Sequence, residues 1–234
     1  NVSDKYAAIA VQGPESKKIL MTLSGGRQLT PENVKNALNS LTMEGKPVRI
    51  AKTGYTGEPI GYELYCNSED ARYFWDRLIE LGAKPTALGA RDTTRMEAAL
   101  PLYGHEMGEC EMGGEIQIYA VPLAKFAVSF DEAKGDFIGR EPLKKQFEAL
   151  KKIMNRDYSS IEDLPYRIQP IYLEGKGVLR KGFPIYCKDA WAEGKQIGYV
   201  TSGTMIPYYK TEGQGLESVF TDETGKRSIG LAYM

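Results

Sequence analysis

Two residues of opposite charge stand out for the chemistry they allow. Glu63 lies in Gly61-Tyr-Glu-Leu-Tyr-Cys66, and Arg91 lies 28 residues later in Leu88-Gly-Ala-Arg-Asp-Thr-Thr-Arg95. A carboxylate accepts hydrogen bonds and a guanidinium fork donates them in one plane. Together they suit a flat, polar heterocycle or an anionic ligand. Arg91 and Arg95 fall in the opening turns of a predicted helix, where the macrodipole favours acids instead. A local preference broken in this way is where function is expected. The plain alternative is an ion pair tying a strand to a helix. Arg95 has Asp92 and Glu97 close by in sequence, and a structural role suits it better.

Other residue groups carry less. Tyr55, Tyr62, Tyr65 and Tyr103 cluster in sequence around Glu63 and Arg91; core packing is their default, although a flat ligand also wants aromatic walls. Gly54, Gly57 and Gly61 match no phosphate-binding fingerprint and read as a turn between paired strands. His105 is the single histidine. The pair His105-Glu106 therefore lacks the second histidine of zinc hydrolase signatures, and no serine or cysteine sits in an elbow motif for a histidine base. Neither a catalytic nor a metal-ligating residue is assigned. Arg180, in Gly177-Val-Leu-Arg-Lys-Gly182, and Thr201-Ser-Gly203 read as turns and strand corners.

The 234 residues suffice for one large or two modest domains. A net charge of −1 gives no overall pull toward nucleic acid or anionic membrane, and no apolar run is long enough to span a bilayer. Neither is expected as a partner. Three widely spaced cysteines, Cys66, Cys110 and Cys187, argue against a disulfide framework and fit a cytoplasmic setting. The chain starts at Asn1, almost directly in a strand-like segment, and stops in another, Gly230–Met234. It is expected to be a piece of a longer protein, without that protein's N-terminal part and extreme C-terminus.

These residues must be placed by the elements around them. Tyr6–Gln12 reads as a buried strand, and Gly13-Pro-Glu15 opens a helix that Gly25-Gly26 ends. Thr30-Pro-Glu32 is expected to open a second helix running to Leu41. Val48–Thr53 and Gly61–Cys66 read as paired strands, with Glu63 and Tyr65 on one face and Tyr62 and Leu64 on the other. Ser68-Glu-Asp70 starts a helix expected to carry Ala71, Phe74, Trp75, Leu78 and Ile79 inward and to stop at Gly82. A short strand over Pro85–Leu88 and the Arg91 helix follow. The pattern predicts an α+β fold, a ferredoxin-like split βαβ layer of helices on an antiparallel sheet. Ala124–Phe130 is expected as a strand and Leu143–Met154 as a basic helix. Beyond residue 166 helical periodicity gives way to short apolar segments between glycine-rich turns (168–173, 184–187, 196–201, 219–220, 229–234), predicting a small all-β barrel or jelly roll. The expected domains are 1–105 (ligand-binding α+β), 106–160 (connector with a strand and a helix) and 161–234 (truncated β-barrel).

Val11-Gln-Gly-Pro14, Thr53-Gly-Tyr-Thr-Gly-Glu58, Gly61-Tyr-Glu-Leu64, Gly89-Ala-Arg-Asp92, Arg95-Met-Glu-Ala98, Leu102-Tyr-Gly104, Phe137-Ile-Gly139, Gly175–Gly182 and Gly198-Tyr-Val-Thr-Ser-Gly203 occur in order. In these blocks the chain resembles the glycine cleavage system T-protein family of aminomethyltransferases. The resemblance implies a tetrahydrofolate-dependent enzyme of glycine catabolism and one-carbon metabolism. Such an enzyme takes an aminomethyl group from the lipoyl arm of the H-protein, releases ammonia and forms 5,10-methylenetetrahydrofolate. It implies folate contacts at Glu63 and Arg91, with Tyr103 lining the pocket. The family's catalytic aspartate falls in a part not matched by these residues, and Phe126 stands where the family often has Trp. The resemblance leaves open a folate-dependent demethylase of the same fold and a non-catalytic folate-binding module.

Overall fold

The computed structural model describes residues 1–31, 34, 36–189 and 194–234. It divides into two compact units, Asn1–Ala98 and Ala99–Met234.

The first unit is a four-stranded antiparallel sheet with two helices on one face. Strands β1 (Tyr6–Gln12), β2 (Leu38–Met43), β3 (Lys46–Ala51) and β4 (Gly61–Asn67) lie in the order β1-β4-β3-β2. Helix α1 (Ser16–Leu23) follows β1, and α2 (Ala71–Glu80) and α3 (Leu88–Glu97) follow β4. Alternation along the strands sends Val11, Met43, Val48, Ile50, Tyr62, Leu64 and Cys66 to the helix-covered face, where Leu20, Leu23, Phe74 and Leu78 meet them. Each such side chain, fully buried, contributes about 1.5–3 kcal/mol.

The expected second helix does not extend to Leu41. Leu38–Met43 is a strand that pairs with β3, Leu38 opposite Ala51 through Met43 opposite Lys46. Glu32, the acid of the expected helix start, lies outside the described residues. The hairpin is closed by Glu44 and Gly45, both at positive φ (47° and 82°), which is the backbone of a tight turn matched to strand twist. Helical propensity lost to strand pairing, and a Glu-Gly turn carries a weaker signature than Asn-Gly. Pro85–Leu88 is likewise not a strand; the chain runs irregularly from Ala83 into α3. The helix-on-antiparallel-sheet layer is as expected, with a different strand sequence: three strands in a meander separate α1 from α2.

In the second unit, β5 (Ile168–Leu173), β6 (Pro184–Tyr186), β7 (Gln196–Glu212) and β8 (Val219–Tyr233) form an antiparallel sheet in the order β5-β8-β7-β6. The described residues form no closed barrel. Instead, β7 and β8 make one long hairpin, and the two short segments expected at 219–220 and 229–234 belong to a single strand. The helix expected at Leu143 starts earlier, as α4 (Arg140–Met154). Its Ala149, Leu150 and Ile153 join Tyr119, Leu164, Ile168, Tyr199 and Leu231 in one core. Ala124–Phe130 is not a strand. Its first residues close a 3-10 turn, Pro122–Phe126, because Pro122 supplies no backbone donor for a ladder.

Candidate functional site

Glu63 stands on the face of the first sheet that the helices do not cover. Its cross-strand neighbours are Ala10 on β1 and Ala51 on β3. Tyr65, two residues on, has Ala8 and Arg49 opposite. Small side chains on both sides leave the half-buried Glu63 carboxylate open. It accepts one hydrogen bond, from the Tyr65 hydroxyl at 2.5 Å. That bond, together with burial, raises the Tyr65 phenol above its ordinary value, because the phenolate would lose it and face a carboxylate. A carboxylate can accept about four hydrogen bonds, so most of the capacity of Glu63 is unspent among the described residues.

Arg91 lies on the exposed face of α3, and its guanidinium sits over the Tyr55 ring, 5.9 Å from the centroid. No ion pair or hydrogen bond joins Glu63 to Arg91 among the described residues. The plain reading of the two as a strand-to-helix ion pair therefore does not hold. Arg95 behaves differently. It is 1% exposed, and its fork donates to Asp92 Oδ1 at 2.7 Å. The two arginines, one turn apart, have separate fates: one is packed into the fold and the other is presented to solvent.

The four tyrosines separate as well. Tyr62 is core, on the helix-covered face of β4. Tyr65 touches Glu63, and Tyr55 touches Arg91. Tyr103 belongs to the second unit and is 80% exposed. A groove of about 1700 Å³ runs beside β1, an edge strand, between α1, α2 and α3. It is lined by Ile9, Val11, Trp75, Ile79 and Leu88, and Arg91 reaches it, whereas Glu63 does not line it.

The sequence pair His105-Glu106 is tied to Thr201-Ser202 on β7, and Glu106 and Thr201 stand 95 positions apart in sequence. Glu106 is fully buried. Its Oε1 accepts from the Thr201 and Ser202 hydroxyls, each at 2.6 Å, and its Oε2 accepts from the Leu102 backbone N–H at 2.9 Å. His105 Nδ1 lies 3.2 Å from the Thr201 carbonyl oxygen and 3.1 Å from the Ser202 hydroxyl oxygen. Lys181 Nζ donates to the Gly104 carbonyl at 2.9 Å. These bonds fix the turn that displays Tyr103.

One polar side chain escapes a motif search. Gln12, at the end of β1, donates through Nε2 to the carbonyls of Thr53 (3.2 Å) and Tyr62 (3.0 Å). Its sequence signals are its place in the block Val11-Gln-Gly-Pro14, which suggests no role for it, and indirectly Gly54 and Gly61, which leave the space it fills.

A sequence profile of the GCVT N-terminal domain matches residues 1–120. The aminomethyltransferase of Halalkalibacterium halodurans is 37% identical over 238 residues, and that of Caldanaerobacter subterraneus subsp. tengcongensis 36% over 238 residues; each alignment spans 100% of this chain. The chain covers only 53% and 52% of those proteins, so it spans about half the length of the curated relatives it matches. The crystal structure of glycine cleavage system aminomethyltransferase T from Bartonella henselae superposes with a TM-score of 0.59 at 20% identity, over 98% of this chain and 51% of that one. That likeness is one of α+β fold. The profile match, spanning more than half of the residues, establishes that the chain belongs to the GCVT N-terminal domain family.

Proposed function

We propose that this chain supplies the pterin-binding part of a tetrahydrofolate-dependent aminomethyltransferase. The observation that carries the reading is the Glu63 carboxylate, set between alanines on the sheet face opposite the helices, with most of its acceptor capacity unspent among the described residues. Glu63 would accept from pterin N–H groups, and the exposed Arg91 fork would donate to ring acceptors. The family resemblance makes Tyr103, displayed on its own turn, a further candidate for folate contact. The name shared by the relatives, aminomethyltransferase, supports the reaction class.

In this reading an aminomethyl group arrives on the lipoyl arm of an H-protein. Ammonia leaves, and the carbon passes to a folate nitrogen to give the 5,10-methylene derivative. The contribution of this chain is orientation: a pterin held at one edge by a carboxylate and at another by a guanidinium presents its nitrogen in a fixed direction. No residue here is proposed to act in covalent or acid–base chemistry. The functional division we propose is a folate-binding domain over 1–105, a connector over 106–160 and a β domain over 161–234. The setting we propose is the cytoplasm; no helix among the described residues is long and apolar enough to cross a membrane.

Titration calorimetry with tetrahydrofolate on the full-length protein tests the reading. Glu63→Ala and Arg91→Ala are each expected to lower affinity about 10- to 100-fold while leaving circular dichroism unchanged. Unaltered affinity in both variants removes the pterin assignment.

A further inference from the structure

Gln12 makes contacts that a core or surface glutamine does not need. Its two amide protons go to two carbonyls from different segments, Thr53 just beyond β3 and Tyr62 within β4. Its Oε1 faces the Thr56 hydroxyl at 3.4 Å. A side chain with two donors and an acceptor at one tip is required; glutamate has the shape and lacks the donors. Gly54 and Gly61 are shaped around it. Neither has a positive φ, and a Cβ at either would lie 1.9 Å or 2.2 Å from Gln12 Oε1. A side chain at either position would have to push the Gln12 amide out of its hydrogen bonds.

What Gln12 holds is the near limb of the turn Thr53-Gly-Tyr-Thr-Gly57. The far limb has its own anchors, for the Ile60 carbonyl accepts from the Gly13 N–H (3.0 Å) and the Ser16 hydroxyl (3.3 Å). The near limb meets α3 twice. Tyr55 lies under the Arg91 guanidinium, and Gly57, at φ +79°, packs so closely that a Cβ would come within 2.4 Å of the Ala98 Cβ at the end of that helix. The turn is thus the spacer between the sheet that carries Glu63 and the helix that carries Arg91.

We propose that Gln12 is a positioning residue of the pterin site: by stapling the 53–57 turn to β1 and β4 it sets where Arg91 stands relative to Glu63. This rests on the folate reading above. Gln12 itself touches no ligand; it acts through Tyr55 and Arg91.

The test uses the full-length protein with Gln12→Glu, Gln12→Met and Arg91→Ala, alone and combined, titrated with tetrahydrofolate. Amide hydrogen exchange is followed at residues 54–57. Both Gln12 variants are expected to bind about tenfold more weakly. Exchange should rise at 54–57 and stay unchanged along β4. With Arg91 already replaced, a Gln12 variant should add no further loss, whereas a merely structural role predicts additive losses. Gln12→Met keeps the volume if the buried carboxylate of Gln12→Glu prevents folding. Wild-type affinity in the folded Gln12 variants overturns the proposal, as does full additivity with Arg91→Ala. A wild-type protein that binds no tetrahydrofolate defeats the folate reading and the proposal together, and that result is distinct from the other two.

Discussion

Glu63 and Glu106 are the same carboxylate in opposite circumstances. Glu106, in the second unit, is buried at 0% exposure and accepts from two hydroxyls and a backbone N–H. Glu63, in the first, faces an uncovered sheet between two alanines and accepts once. A buried carboxylate survives only when hydrogen bonds replace the lost water, so the bonding of Glu106 is committed to holding the fold. Glu63 keeps its acceptors for something from outside. Saturation separates a structural acid from a binding acid here, and residue type does not.

The comparison breaks most visibly at Glu106. Replacing it by Ala strands the buried Thr201 and Ser202 hydroxyls and the Leu102 N–H. Chemical denaturation should report a loss of about 3 kcal/mol. Glu106→Gln should cost less, because its carbonyl oxygen still serves the hydroxyls and only the amide group meets a donor. Equal stability of wild type and Glu106→Ala would show that this network does not hold the unit.

A smaller effect is expected at Tyr65, the hydrogen-bond partner of Glu63 among the described residues. Tyr65→Phe should change stability by no more than about 0.5 kcal/mol and shift tetrahydrofolate affinity only a few-fold, since the carboxylate merely loses an orienting donor. A loss as large as that of Glu63→Ala would move the site from Glu63 to the Glu63–Tyr65 pair.

The smallest effect belongs to an acid bonded at the surface. Glu44, at the β2–β3 turn, accepts from Nη2 (2.8 Å) and Nε (3.0 Å) of Arg77 and from the Tyr73 hydroxyl (2.8 Å), all on α2. Those bonds hold its carboxyl below the ordinary value of 4.5, against a smaller opposing contribution from burial. With the folded value depressed, the contribution is present above the unfolded value and lost as pH falls through the folded one. Glu44→Gln should therefore give up a small part of the stability present at neutral pH and flatten the acid limb below about pH 4.5, so that variant and wild type converge in acid. An unchanged acid limb would assign that pH dependence to other carboxylates.

Much was legible in the residues alone. Alternation placed Glu63 and Tyr65 on one face of β4, since the side-chain period of a strand is fixed by covalent geometry. Gly25-Gly26 and Gly82 ended α1 and α2, where a left-handed backbone favours glycine. The ordered blocks pointed to the family that the profile match then established. Local signals failed where long-range pairing outweighed them: Thr30–Leu41 carries helical spacing, yet Leu38–Met43 gains more by completing a sheet with β3. Sequence could name Arg91 and Arg95 but could not tell them apart. Which one is buried against Asp92 and which lies open over Tyr55 depends on what packs around α3. Nor could it join His105-Glu106 to Thr201-Ser202, or Gln12 to Thr53 and Tyr62. Hydrogen bonds between residues 41 to 97 positions apart leave no periodicity to read. They exist only once the sheets have brought donor and acceptor within reach.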